Sequence, residues 1–537
     1  MPIARILFAV VFVSLVAIPL VLRPATKEPE SGEVRQLIVI TPHLAQLREE
    51  FDAGFRRWHE AKYGEPVRVQ YLAPGGTSEI IKQLSAQYEA AWDAGKIDHE
   101  TFEADAGTIP IDVMFGGGSY DHGRLMTALS VKRKAEDGTT ESVTLPMSVS
   151  AGFEPEWLEE VFGPNAVGSQ PLYEKDQHWI ATALSSFGIV YNRAEYEDLG
   201  LSPPQSFHDL TDPRLFGRIA LADPRQSGSI TTTLDYILAK EGWDEGWKLL
   251  RGLSANARYF SGSSGKPPID VSSGEAAAGL AIDFYGKAQA QSALAPGQKP
   301  SEGRVGYADP AGSVYIDPDP VSILRGGPEP ELAKRFVEFL LTEQGQSIWN
   351  FRPNSELSED ERSYDEDGVL LGPSLYALRR MPARRVMYEK YMPRLMDKVN
   401  PFLLAGTDKP SPWRSSIGPM MGAFGIDTAD ELKAAWKALI VAREDESFPP
   451  EVLAEMERLF YALPEHQMPP DEAGNPGSVL AFTPENYRDI RNSWRDSKHP
   501  EWAVKSQIRY VDFFRRNYGE IVRLGRTRAL STAGNVQ

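Results

Sequence analysis

Short apolar runs that stop at glycine, proline or serine, each followed by a stretch with helical spacing, recur along the front part of the chain. Leu37-Ile38-Val39-Ile40-Thr41 reads as a strand, and Pro42-His43 turns out of it into a helix from about Leu44 to Lys62. Val67 to Tyr71 alternates as a half-buried strand does, and leaves through Ala73-Pro74-Gly75-Gly76-Thr77-Ser78-Glu79 into a helix carrying Ile80, Ile81 and Leu84. A charged helical insertion to about residue 105 precedes a third strand, Ile111 to Phe115, which exits through Gly116-Gly117-Gly118-Ser119-Tyr120-Asp121-His122. Strand, turn and helix repeated three times predict a parallel α/β sheet whose strands all end on one edge. Residues 123–178 carry no readable pattern, and Thr182 to Asn192 is extended.

A second α/β unit follows. Ile219 to Ala222 is a buried strand closed by Asp223-Pro224, and Ser227-Gly228-Ser229 stands at the start of a helix running to Lys240, with another from Trp243 to Leu253. Strands at Arg258 to Phe260, Gly279 to Tyr285 and Pro320 to Leu324 come next, and Glu331 to Trp349 is an amphipathic helix. The strand signal stops near residue 356. Charged helical stretches such as Asp430 to Arg443, Pro450 to Leu463 and Ala503 to Tyr518 take over, and the arginine-rich Leu378 to Arg385 reads as a helix cap and solvated surface, with an interaction patch as the alternative.

Length and composition narrow the classes. With 537 residues the chain exceeds one ordinary core, and 42% hydrophobic with 25% charged residues is globular composition. A formal charge of −18 disfavours nucleic acid as a partner. Cysteine is absent, which removes disulfides, thiolate metal sites and cysteine nucleophiles. Arg5 followed by the apolar run Ile6 to Leu22 has the layout of an export signal, with retention as a short membrane anchor as the alternative. No Gly-x-Ser-x-Gly elbow, His-Glu-x-x-His or phosphate loop occurs, so an enzyme is not expected.

The polar residues that gather beyond the strand ends are the candidate ligand contacts. They are His43, Thr77, Ser78, Ser119, Tyr120 and Asp121 from the first unit, and Ser227, Ser229, Ser263, Asp283 and Tyr285 from the second. Hydroxyls and helix-start N–H groups at Thr77, Ser78, Ser119, Ser227, Ser229 and Ser263 suit an anion, to which Arg225 adds a charge; Asp121, Asp283, Tyr120 and Tyr285 suit a cation.

Taken in order, Gly188-Ile189-Val190-Tyr191-Asn192, Phe216 to Pro224, Ser273-Gly274-Glu275, Gly279 to Asp283, and Leu332 to Phe336 with Thr342 to Gln346 form a series that resembles the extracellular solute-binding proteins of ABC importers. The branch is the one that includes ferric-iron, thiamine, polyamine and phosphonate binders, and the resemblance spans roughly residues 35–400. It implies an α/β, two-lobed periplasmic-binding-protein fold with a hinge of crossing strands, here with a C-terminal α-helical extension. The expected divisions are a signal or anchor and linker at 1–33, a first lobe at 34–178, a second at 179–319, a return to the first at 320–400 and the extension at 401–537. The resemblance further implies capture of a small ligand, ferric iron or an anionic or phosphorylated solute, and its delivery to permease subunits in the membrane. The location would be periplasmic or otherwise extracytoplasmic, with no resident cofactor and Fe(III) only as cargo. In the ferric relatives a histidine, an acidic residue and two tyrosines hold the metal. His43 and Tyr285 match two of these, whereas Phe284 replaces one tyrosine and Gly116 or Gly117 the acid. The alternative from another class is an exported or membrane-anchored hydrolase with no recognised motif.

Overall fold

A computed structural model describes residues 34–134, 138–295, 298, 302–310, 315–406, 411–471 and 473–533. The apolar N-terminal run lies outside them, and among the described residues no helix is long and apolar enough to cross a membrane.

The first lobe is built from β1 (Arg35–Ile40), α1 (Ala45–Tyr63), β2 (Val67–Leu72), α2 (Thr77–Asp93), β3 (Val113–Phe115) and α3 (Ser119–Thr127). The inner strands β1 and β3 are apolar on both faces near their ends because both faces are covered there, whereas β2 at the edge alternates. Leu37, Val39, Val113 and Phe115 pack into one core, while Ile40 and Met114 face a second core on the opposite side. The stretch without a readable pattern contains a hairpin pairing Ser130–Lys134 with Thr140–Thr144 and a helix at Pro155–Phe162.

β4 (Ile180–Asn192) is buried along all 13 residues. The second lobe then adds β5 (Ile219–Ala222), α4 (Gly228–Asn256), β6 (Ala257–Ser261), α5 (Lys266–Ser273), β7 (Ala278–Ile282), α6 (Asp283–Ser292) and β8 (Val305–Ala308). Gly242, at φ 78°, interrupts α4 at the point where the sequence separates two helices. β9 (Ile316–Leu324) returns to the first lobe, where α7 (Pro330–Leu341) covers the sheet and β10 (Met381–Pro382) adds a short strand beside β4.

The strands form one path, β2-β1-β3-β9-β4-β7-β5-β6, parallel within each lobe and antiparallel at the crossing. β4 changes partner along its length, pairing with β9 from Ile180 to Ser186 and with β7 from Phe187 to Tyr191. β9 likewise serves β4 and then β3. These two strands cross between the lobes and are the hinge.

Three sequence readings are corrected here. The strand expected over Gly279 to Tyr285 ends at Ile282, and Asp283 to Tyr285 open a helix instead. β9 begins four residues before the expected Pro320, so Asp317 and Asp319 lie within a strand although Pro318 and Pro320 make that stretch read as a turn. Pro320 lies at a register shift in the pairing of β9 with β4, and its carbonyl still accepts, from Gly116 N–H at 2.8 Å. The third concerns Leu378 to Arg385, which is not all solvated surface, since Arg380 is only 3% exposed.

Residues 414–533 add α8 (Arg414–Met421), α9 (Ala429–Glu444), α10 (Pro450–Tyr461) and α11 (Trp502–Ala533). They share one hydrophobic core with the second lobe, Met420, Phe424, Trp436 and Phe514 packing with Leu234, Trp247 and Leu250. Arg251 of α4, 1% exposed, lies between the rings of Phe424 and Phe514 and donates to Phe460 O at 2.5 Å. Without the extension this guanidinium would sit in an apolar face with no acceptor. A chain ended after Ala405 is therefore expected to lose the cooperative unfolding of the second lobe and to aggregate, as read by calorimetry and light scattering; an unchanged melting transition would contradict the shared core.

Candidate functional site

The strand ends of both lobes meet at a cavity of about 500 Å³. Six helices begin on it. The cap residues Leu44 of α1, Gly76 of α2, Gly118 of α3, Ser227 of α4, Gly265 of α5 and Ile282 of α6 all line its wall. Only Ser227 caps with its own side chain, accepting from Ile230 N–H; the other five offer no capping side chain. Helix-start N–H groups carry partial positive charge and are open to a ligand's acceptors wherever the protein does not already use them.

The two lobes touch across the cavity. A Cβ placed on Gly228 of α4 would lie 2.6 Å from Asp121 Oδ2 and 2.7 Å from Thr77 Oγ1, so a side chain there would force the walls apart. Hydroxyls line the second-lobe wall in a short relay, with Ser229 Oγ donating to Ser264 Oγ at 3.0 Å and Ser227 Oγ 3.2 Å from Ser229 Oγ.

The floor comes from the crossing strands. Ser185 and Phe187 of β4 lie beside Asp317 and Asp319 of β9, whose spacing by two puts both carboxylates on the same face. Asp319 is bound by the guanidinium of Arg380, a contact buried on both sides, and accepts from Gly117 N–H at 3.1 Å. Arg380 lies flat on the Phe284 ring, 3.5 Å from its centroid, and donates from Nη1 to His43 Nε2 at 3.1 Å. Burial pushes its pKa down to about 10, which leaves it charged at neutral pH. His43 is held by Thr41 Oγ1, which accepts its backbone N–H, and by the edge of Phe115. Burial, with Arg380 and Arg48 nearby, holds the imidazole well below its usual range, so it is neutral. Nε2 accepts from Arg380, so the neutral ring carries its proton on Nδ1, which has no hydrogen-bond partner, and the Asp319 oxygen 3.3 Å from Nε2 is a neighbour held by the same guanidinium. Gly116, at φ 95°, lets the backbone pass this ring, since a Cβ there would meet Nε2 at 2.2 Å.

Asp317 accepts from Ser119 Oγ at 2.7 Å and from Ser119 N–H at 3.3 Å, yet burial pushes it up to about 6. Burial also raises the Tyr285 phenol above its usual range, partly offset by Arg380. Arg48 lines the first-lobe wall, and its buried Nε has no hydrogen-bond partner.

Of the residues expected at the ligand, His43, Thr77, Asp121, Ser227, Ser229, Ser263 and Tyr285 line the cavity. Four are set back from it. Ser78 is the second residue of α2 and half-buried, and Ser119 turns to Asp317. Tyr120 is 43% exposed under the guanidinium of Arg414. Asp283 is fully buried against Lys287 Nζ at 3.2 Å, with burial pushing it up to about 6. Arg225 also leaves the site, pairing with Asp223 and with Asp427 of the extension. Sequence reasoning missed Arg48, Asp317, Asp319 and Arg380. The Asp-Pro-Asp-Pro alternation was the available signal for the two aspartates, but Arg380 had none.

The architecture is two α/β lobes joined by crossing strands, with a cleft at the strand ends of both. Residues 153–359 match the family model described as bacterial extracellular solute-binding protein, a family of binding proteins rather than enzymes. Over 169 residues, 32% of this chain, the sequence is 26% identical to the phosphoglycerate transport regulatory protein PgtC of Salmonella typhimurium, and this match spans 40% of that relative's length. An uncharacterized protein of Haemophilus influenzae is 28% identical over 181 residues, covering 33% of this chain and 49% of that one. Among solved structures, iron-bound HitA from Pseudomonas aeruginosa aligns with a TM-score of 0.45 at 18% identity, over 72% of this chain and 95% of that one. The periplasmic binding protein AfuA from Actinobacillus pleuropneumoniae, with fructose-6-phosphate bound, aligns with a TM-score of 0.41 at 20% identity, over 59% and 82%.

Two outcomes follow from the floor. Arg380→Ala leaves Asp319 buried without its partner and is expected to destabilise the protein by about 3–5 kcal/mol, measured by denaturant unfolding. Asp317, with its folded pKa near 6 and an ordinary aspartate value near 4 when unfolded, keeps in the folded state a proton that the unfolded chain releases first. Its contribution is fully present below about pH 4 and is lost as pH rises through about 6. Asp317→Asn should raise the melting temperature at pH 7.5 and change it little at pH 4; equal effects at both would contradict the assignment.

Proposed function

We propose that the chain is the solute-capturing component of an ABC importer, acting outside the cytoplasmic membrane, and that its cleft closes on a small anionic organic solute destined for a membrane permease. The observation that carries the anion is the convergence of six helix starts on one cavity of about 500 Å³, a size suited to a small organic molecule. Arg48 adds a full charge at the wall, whereas the charge of Arg380 is matched by Asp319. The carboxylates of Asp121 and Asp317 accept rather than donate, and so suit hydroxyl groups on the same solute. A hydroxylated acid or a small phosphorylated polyol satisfies both ends, and the Salmonella relative named for phosphoglycerate transport supports that chemistry.

Ferric iron is the second reading, favoured by His43 and Tyr285 lining the same cavity. It is the weaker of the two. His43 Nε2 is engaged, the Tyr285 phenol is held protonated by burial, and Phe284 brings no donor. Among the described residues no group of three or more His, Asp or Glu side chains could hold a metal.

Thermal unfolding with 3-phosphoglycerate, hexose phosphates and ferric citrate separates the readings. A solute at a hundred times its Kd stabilises the native state by about 2.7 kcal/mol. Stabilisation by one of the organic phosphates, lost in Arg48→Ala and in Ser229→Ala, is the expected result. Stabilisation by ferric citrate alone, lost in Tyr285→Phe, would select iron.

A further inference from the structure

The extension does more than cover the second lobe, because one of its side chains reaches the first. Arg414, at the start of α8, is 11% exposed and donates from Nη1 to Thr232 Oγ1 at 2.9 Å and from Nη2 to Gly228 O at 3.1 Å. Both acceptors lie in the first turns of α4, whose start forms the second-lobe wall of the cavity. Asp235, one turn further along α4, stands 3.8 Å from Arg414 Nη1 and is bound on its other oxygen by Ser411 of the extension. The guanidinium is thereby fixed to α4 on one side. Its face lies over the ring of Tyr120, 4.1 Å from the centroid, and Tyr120 belongs to α3 of the first lobe. Arg414 is thus bonded to one wall of the cleft and stacked on a residue of the other.

We propose that Arg414 is an interlobe latch: the extension holds it against α4 so that it grips Tyr120 when the cleft is shut, weighting the ligand-free protein toward the closed form. Opening the lobes carries α3 away from α4 and breaks this contact, while the bonds to Thr232, Gly228 and Asp235 travel with the second lobe and persist. The latch therefore acts on the open-to-closed equilibrium and leaves the fold of each lobe alone. A cation–π contact of this kind shifts such an equilibrium by roughly two- to thirty-fold. If the cleft is the solute site argued above, the same factor enters the apparent affinity, because a solute that binds the closed form gains whatever fraction is already closed.

The test needs no ligand, so its failure is separable from failure of the solute reading. The chain has no cysteine, and Asp93→Cys at the end of α2 with Lys248→Cys on α4 gives a unique pair of exposed sites for spin labels, one on each lobe. Pulsed-dipolar distances in the ligand-free full chain are expected to show a dominant closed population in the parent and in Tyr120→Phe, which keeps the ring. Tyr120→Ala should enlarge the open population several-fold while keeping a cooperative melting transition, because Tyr120 is 43% exposed and belongs to no hydrophobic core. Identical distance distributions in the parent and Tyr120→Ala would overturn the latch.

Discussion

A strand buried along its whole length must find hydrogen-bond partners on both sides throughout. β4 meets that demand by pairing with β9 and the short β10 over its first half and with β7 and β8 over its second, and most of the remaining architecture follows. Because one strand serves two sheets, the lobes are tied at its middle and free at their outer ends. The partner change occurs at Ser186 and Phe187, and the cavity floor lies there, on Ser185, Phe187, Asp317 and Asp319. The same demand brings β9 and its two carboxylates under the cavity, and with them the need for a buried arginine.

Charge at the site is arranged in opposition. The floor carries acceptors and the walls carry helix starts, so a bound molecule would meet positive partial charge from above and carboxylates from below. Burial raises Asp317 and lowers His43, each toward its neutral form. Arg380 instead stays ionised, because Asp319 neutralises it and the face of Phe284 receives it. The extension belongs to this arrangement as well as to the fold, since its core is continuous with that of the second lobe and its Arg414 reaches α4 at the cavity wall.

Local signals carried the secondary structure. Ile219 to Ala222 coincides with β5, the helix from Leu44 with α1, and the break near Trp243 with Gly242. Of the eleven residues singled out after strand ends, seven line one cavity. What failed was set by partners distant in sequence. Pro318 and Pro320 argue locally against a strand, and only the carbonyl acceptors beside β3 and β4 make one possible. Arg380 looked like one more surface arginine in a run of four; its burial depends on Asp319 and Phe284, 61 and 96 residues away. Asp283 and Tyr120 sit at the right ends of the right elements, but Lys287 and Arg414 claim them first.

The most direct measurement is a crystal structure of the full chain with the solute that co-purifies from its native host. The account predicts one small organic anion bridging the lobes, with its anionic group against the starts of α2 and α4 near Thr77 and Ser229 and its hydroxyls toward Asp317. A solute seated on one lobe alone, or a metal ion between His43 and Tyr285 with Arg380 displaced, would contradict it.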